Sequence, residues 1–483
     1  MFKNILFKEL HENILDLKFI IAALLCIIII PLGFYINKKD YENKKDNYRE
    51  SVRIYFNSHK TLGDISRFGA AAFRAPSPYS LLSAGMEQLL PTSINTIGSI
   101  SNMGVQVELI NERGLDSAIS FIYGRLDLSF IVSVVMSLLA MLFTYNSIAG
   151  EKERRTLSQI FSNSVPRNIV ILAKMTAGAF LIGTVFLLGI LFGFIVLMVT
   201  GQGVFSADYL FGWILIGTAF SLLNILVFLN LGLMISGLNK TTLSAIISLM
   251  SCWVFLFLLW PKMSVVAAKI IRPVQSQQIV DLEKNQVLRQ IKNEENHEID
   301  GLRKTMLGVR DMTSVEFFDN LRKGEKDAKA FEKKQKKLLD LFRIRSAIEL
   351  EKIDIAYENR KYLQAEIARD LSRLSPASCF IHILAEISNT GFCEYKEWQK
   401  LKYRLKDILE RDVGAKMESL RFENLSVVKS NADRKAPSPY LEYRDVPLDK
   451  AISAVWADIV ILFVYSILFF AGAHTIFLRY DVR

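Results

Sequence analysis

FIIAALLCIIIIPLGFY, residues Phe19–Tyr35, holds no charged side chain over its whole length. A bilayer core of roughly 30 Å is crossed by a helix of about 17–25 mostly apolar residues, so this run is long enough to span. It follows a charged lead, Met1–Lys18, and has no A-x-A pattern before the polar Asn37–Asp46 stretch, so it reads as an uncleaved anchor rather than a removed signal peptide. Five further runs have the same character: Leu128–Ala149, Met175–Val199, Tyr209–Ser236, Thr241–Trp260 and Ala454–Phe477. The rival reading of any one run, a buried core helix, is already the weaker one, and six together define an all-α polytopic membrane protein.

The composition agrees once it is divided. The 483 residues are 51% hydrophobic and 22% charged, figures ordinary for a soluble chain. A mean hydropathy of +0.25 beside that charge means that very apolar and very charged segments are averaged together. Four cysteines exclude a disulfide scaffold. The net charge of +10 suits a nucleic acid, a membrane surface or a solvated domain until the cations are located.

Short loops orient a polytopic chain, because Lys and Arg stay cytoplasmic. Gly150–Asn168 carries Lys152, Arg154, Arg155 and Arg167, whereas Thr200–Asp208 carries no Lys or Arg. Alternation then puts both termini in the cytoplasm and segments 36–127 and 261–453 outside. Most of the lysine excess falls in 261–453, which removes the nucleic-acid reading. From Gln275 to about Leu425 the chain is charged and poor in Gly and Pro. Apolar residues recur at helical spacing, as in Phe331, Leu338, Leu341, Ile348 and Ile355. A helical hairpin or small bundle is expected, broken at Lys323-Gly324 and Ser375-Pro376. Its basic surface is either a solvated face or a site for an anionic partner or lipid headgroups. Two near-copies, Arg74–Tyr79 (RAPSPY) and Lys435–Tyr440 (KAPSPY), read as juxtamembrane turns or as coincidence.

No phosphate-binding G-x-x-x-x-G-K-[ST] loop, G-x-S-x-G, H-E-x-x-H or C-x-x-C occurs, so the chain is not read as binding ATP itself. Cys379 and His382 lack a third ligand, and the spacing leaves open whether Cys379 pairs with Cys393. Polar residues inside spans need partners. Asn224, Asn230, Asp458 and His474 therefore form either a polar lining or plain interhelical hydrogen bonds.

The second span ends in Tyr145-Asn146-Ser147-Ile148-Ala149-Gly150-Glu151-Lys152-Glu153-Arg154-Arg155-Thr156-Leu157. From physics alone this is a docking element or a simple connector, with Leu157, Ile160 and Phe161 on one side. The stretch resembles the signature of type-2 ATP-binding-cassette (ABC) exporter permeases, a span ending in Gly-Glu-Lys-Glu-Arg-x-Thr-Leu. The family usually places Gly before the Thr, where this chain has Arg155. Arg74–Glu87 (RAPSPYSLLSAGME), Leu371–Pro376 (LSRLSP) and Phe477–Arg483 look like the branch annotated for multi-copper-enzyme maturation, whose members often carry large outer insertions.

The resemblance implies six transmembrane helices of type-2 ABC exporter architecture plus a largely helical extracytoplasmic domain. It divides the chain into a cytoplasmic amphipathic helix (1–18), a first span (19–35) and an extracytoplasmic segment (36–127). Four spans (128–260) follow with a coupling loop (150–168), then an extracytoplasmic domain (261–453), a last span (454–477) and a cytoplasmic tail (478–483). It further implies a bacterial cytoplasmic membrane and a second permease copy or paralogue. A separate ABC ATPase subunit would bind ATP and Mg, leaving this chain without cofactor, metal or catalytic residue. Glu151, Lys152, Glu153, Arg154, Arg155, Thr156 and Leu157 would engage that ATPase, with Glu151, Glu153, Arg154 and Arg155 forming the ion pairs. The expected function is export of a substrate. The alternative is a mechanical transducer acting on an extracytoplasmic partner protein.

Overall fold

The computed structural model describes residues 2–58, 71–87, 93–97, 106–110, 126–157, 159, 166–200, 207–307, 326–408, 441–443 and 446–480. The helices in chain order are α1 (Phe2–Ile14), α2 (Leu17–Ser58), α3 (Leu128–Glu153), α4 (Arg167–Thr200), α5 (Ala207–Leu238) and α6 (Thr242–Ile271). Then come α7 (Gln277–Leu307), α8 (Lys326–Ser372), α9 (Pro376–Ile387), α10 (Phe392–Ile408) and α11 (Leu448–Leu478). Six of them, α2 to α6 and α11, are long and apolar enough to cross a membrane, so the chain is an all-α polytopic membrane protein.

The span helices overrun the apolar runs that mark them. Residues 19–35 are part of a helix of 42 residues, because the charged stretch after Tyr35 contains no Gly or Pro to stop it. Hydropathy marks the part that suits lipid; backbone hydrogen bonding continues until a breaker intervenes. Likewise α4 starts at Arg167 rather than Met175, and α6 runs through Pro261 to Ile271. Two π-helical turns, Ile131–Met136 in α3 and Val254–Leu259 in α6, are linked through Trp253 Nε1, which donates to Ser137 Oγ at 2.9 Å.

The chain divides into two compact units. The first comprises Met1–Gly98, Val105–Met263 and Leu371–Arg483. In it α5 packs against α3 and α11, and α2 against α4, around Met136, Met141, Phe186, Phe228 and Phe477. Helix α9 joins this core through Cys379, Phe380, Ile383 and Leu384. It therefore does not continue the charged hairpin expected up to Leu425. The break at Ser375-Pro376 is formed as expected: Ser375 Oγ caps the helix by accepting from Ser378 N, and Pro376 fills its first turn.

A small sheet, absent from the all-helical expectation, lies in the same unit. Strands β1 (Ala71–Phe73), β2 (Ser93–Ile97), β3 (Gln106–Ile110) and β4 (Leu441–Glu442) are ordered β3-β2-β1-β4. β1 pairs antiparallel with β2, Ala72 opposite Ile94, and parallel with β4, Ala72 opposite Leu441. Directly after β1, the first RAPSPY stretch is an ordered turn in which Ser77 Oγ accepts from Tyr79 N. The second, Lys435–Tyr440, lies outside the described residues, as does Lys323-Gly324. Arg74 is buried, its Nε on Glu394 Oε1 at 3.3 Å and its Nη2 donating to Asn389 O at 3.1 Å. Gly85, at φ +41°, presses against Thr390 where a Cβ would collide.

The second unit is built on Ser264–Asp370. Within it α7 and α8 run antiparallel: Lys284 pairs with Asp354 at 2.5 Å and Glu294 with Arg345 at 2.6 Å, so numbers rise on one helix as they fall on the other. Val280 and Ile291 of α7 and Phe331 and Phe342 of α8 are buried. The expected stripe is corrected here: Phe331 is buried and Leu338 half-buried, but Leu341, Ile348 and Ile355 are exposed. A two-helix contact selects residues at alternating three and four spacings, and the step from Leu338 to Leu341, continued by sevens, leaves the seam for the neighbouring face.

Cys379 and Cys393 are free thiols, and burial pushes the Cys379 thiol up to about 12. Arg74→Ala would remove the cation from the Glu394 carboxylate, which is 1% exposed and keeps Val446 N as a donor, and is expected to cost about 3–5 kcal/mol. Thermal unfolding in detergent checks this, with Arg74→Lys losing less because one charge is kept.

Candidate functional site

Ala149 and Gly150 carry the last apolar turn of α3 into the motif expected to meet an ATPase. A Cβ at Gly150 would displace the Asn146 side chain, whose Oδ1 lies against it. Beyond it the charges are directed to different helices. Glu151 Oε1 accepts from Lys174 Nζ of α4 at 2.7 Å, and the same ammonium donates to Glu9 Oε1 of α1 at 2.8 Å. The Lys174 side chain is only 2% exposed. Lys152 Nζ donates to the carbonyls of Gly237 and Asn239 at the end of α5, and lies 4.7 Å from the centre of the Tyr480 ring. Glu153 accepts from Thr242 N and Oγ1 at 2.8 and 2.7 Å, a carboxylate at the N-terminus of α6, where unpaired N–H groups favour negative charge.

Thr156 Oγ1 donates to Glu151 O at 3.4 Å, Leu157 is buried, and Ile160 and Phe161 lie outside the described residues. Arg154 and Arg155 are exposed. Next to the motif, Arg167 Nη1 donates to Leu478 O at 2.6 Å and Tyr480 O at 3.0 Å, fastening the end of α11. The segment thus joins α1, α3, α4, α5, α6 and the residues after α11 at one end of the span bundle. A cavity of about 550 Å³ opens here, lined by Glu9, Glu12, Asn146, Glu151, Arg154 and Lys174 among others.

The four polar span residues are not brought together. Asn230 Nδ2 donates to Ser466 O and Oγ, joining α5 to α11. Asn224 is buried, and its side-chain amide has no partner among the described residues. His474 is half-buried against Phe470 of its own helix. Asp458, wholly buried near the opposite end of α11, holds the Arg373 guanidinium by two bonds of 3.0 Å. It also contacts His382 Nδ1 at 3.1 Å, while His382 Nε2 lies 3.3 Å from Ser372 Oγ. Sequence spacing singled out Asp458 but not Arg373, which enters from the end of the charged stretch. Lys174 and Glu9 were missed in the same way; a lysine in the first turns of an apolar span was the available signal.

Arg155 has a φ of 57°, in the left-handed region that favours glycine. That is a physical reason for the glycine the resembling permeases carry there. Arg155→Gly removes the backbone strain and is expected to stabilise the protein by about 0.5–1 kcal/mol net of the added chain entropy, read from thermal unfolding.

No curated protein matches the chain. A family model described as ABC-2 family transporter protein matches residues 3–482, nearly the whole length. Members of this family work in a membrane complex with an ABC ATPase subunit and typically have no ATPase site of their own. With six helices able to cross a membrane and a family match over nearly all its residues, the chain belongs to the ABC-2 family of transporter proteins and is a multi-pass permease component of an ABC transporter.

Proposed function

We propose that this permease lies in a bacterial cytoplasmic membrane, paired with a second copy or a paralogue, and couples ATP hydrolysis by a separate ATPase subunit to export of a substrate. ATP and Mg would be held by that subunit, and this chain would take no cofactor. The observation that carries the reading is the knot around residues 151–157, where one short segment is bonded to α4, α5 and the start of α6. Force applied to such a segment reaches several spans at once. The motif end of the bundle is assigned to the cytoplasm, in keeping with Lys152, Arg154, Arg155 and Arg167 there.

Glu151 and Glu153 bond within the permease, and the exposed Arg154 and Arg155 are the residues we assign to an acidic surface of the ATPase. Membership of the multi-copper-maturation branch belongs to the same proposal and rests on the RAPSPYSLLSAGME, LSRLSP and C-terminal stretches. The antiparallel hairpin α7–α8 favours a second reading in which ATPase work is passed to an extracytoplasmic partner.

Affinity-purified protein should retain an ATPase subunit. Arg154→Glu with Arg155→Glu is expected to cut that retention about tenfold or more, equal to about 1.4 kcal/mol, while leaving thermal unfolding nearly unchanged. Equal retention by the reversed variant refutes the assignment of the two arginines, and no ATPase on the native protein refutes the coupling role. Shortening the hairpin between Gln277 and Asp370 separates export from transduction. ATP-dependent efflux persisting after that deletion eliminates the mechanical reading.

A further inference from the structure

The two carboxylates on Lys174 come from different elements: Glu9 belongs to α1 and Glu151 to the motif, and both line the cavity of about 550 Å³ together with Glu12, Asn13, Asn146 and Arg154. Lys174 reaches both from α4, at 2.8 and 2.7 Å. The other charged groups facing the cavity are largely paired locally: Lys8 with Glu12 at 3.6 Å and Lys18 with Asp16 at 3.3 Å, both exposed. Only the Lys174 cluster is buried, with its three side chains 2%, 10% and 18% exposed.

Stability alone is a poor reason for such a cluster. Withdrawing an ammonium from water is costly, and apolar replacements of buried ion pairs are often as stable or more so. The lysine lies on a helix whose other buried residues, such as Ala173, Ala177 and Leu181, show that an apolar side chain suits the position. What an apolar residue cannot do is hold two separate carboxylates at a fixed distance. An ammonium shared between them does so with direction as well as attraction.

We propose that Lys174 is a positioning residue that locks the N-terminal helix α1 to the motif, so that the two move as one lever when an ATPase subunit closes. This rests on the reading that residues 151–157 meet such a subunit. Motion of the motif is then delivered to α1 and, through Ile5 and the apolar face of that helix, to the cytoplasmic edge of the spans. Without the ammonium, α1 keeps its packing on α4 but loses this bond to the motif.

The test uses the full chain in nanodiscs with its retained ATPase subunit. The native cysteines are replaced and spin labels placed at Glu12→Cys on α1 and Lys240→Cys, beside the carbonyls that hold Lys152. With Lys174 present, the distance between labels is expected to be narrowly distributed and unchanged between nucleotide-free and ATP–vanadate-trapped complexes. Lys174→Met should retain the ATPase, yet broaden and shift the distribution on trapping and lower permease-stimulated ATP hydrolysis about fivefold or more. Lys174→Arg should restore both. If Lys174→Met fails to fold, Glu9→Gln removes the α1 side alone and leaves Lys174 on Glu151; it should give the same broadening. Unchanged distances and hydrolysis in Lys174→Met, or in Glu9→Gln where that stands in, overturn the lever, as does a native distance that shifts on trapping. Absence of an ATPase from the native complex instead overturns the reading on which it rests.

Discussion

Hydrocarbon offers no water to a polar group, and the structure follows from that constraint. A backbone N–H or C=O in hydrocarbon has to find its partner within the protein, and a helix supplies most of them along its own length, which is why the spans are helices. Three of the polar side chains that remain find partners on other elements, whereas the Asn224 amide has none among the described residues. Asn230 finds Ser466 between two spans, Asp458 finds Arg373 and His382 near one end, and Lys174 finds Glu9 and Glu151 at the other. Each pairing joins elements distant in the chain, so the polar groups also fix which helices are neighbours.

At the motif end the same rule converts a run of charges into a junction. Glu151, Lys152 and Glu153 alternate in sign and point to three different helices, because successive residues at a helix end fan around its axis by about 100°. The backbone then turns through Arg155 in the left-handed region and carries Leu157 back into the core. A short loop acquires rigidity this way without burying much surface of its own. A segment so held is the feature on which the proposed coupling role rests.

The six spans, the amphipathic first helix and the start of α9 at Ser375-Pro376 were legible in the sequence, since each depends on local composition or a local breaker. The sheet was not: its strands are two to five residues long, and β1 meets β4 from across more than three hundred residues. The hairpin was legible as helices but not in its facing. Leu341, Ile348 and Ile355 share a face as regular as that of Phe331 and Phe342, and only the partner helix decides which is covered. Within the motif, the intramolecular partners of its charges were not legible. Glu151 and Glu153 read as outward ion-pair formers because nothing nearby in the chain announces Lys174 or the N-terminus of α6.

The sequence by itself determined that this is a helical membrane protein, where lipid can be crossed, and that one short charged segment ends the second span. These are properties of consecutive residues, settled by hydropathy over about twenty positions. Tertiary structure alone decided that Glu151, Lys152 and Glu153 bond to neighbouring helices, that Lys174 joins the segment to the N-terminal helix, and that Asp458 is matched by Arg373. Electrostatic pairing acts over a few ångströms in space regardless of separation along the chain. A buried charge therefore advertises in the sequence that it needs a partner, and the fold selects which one it has.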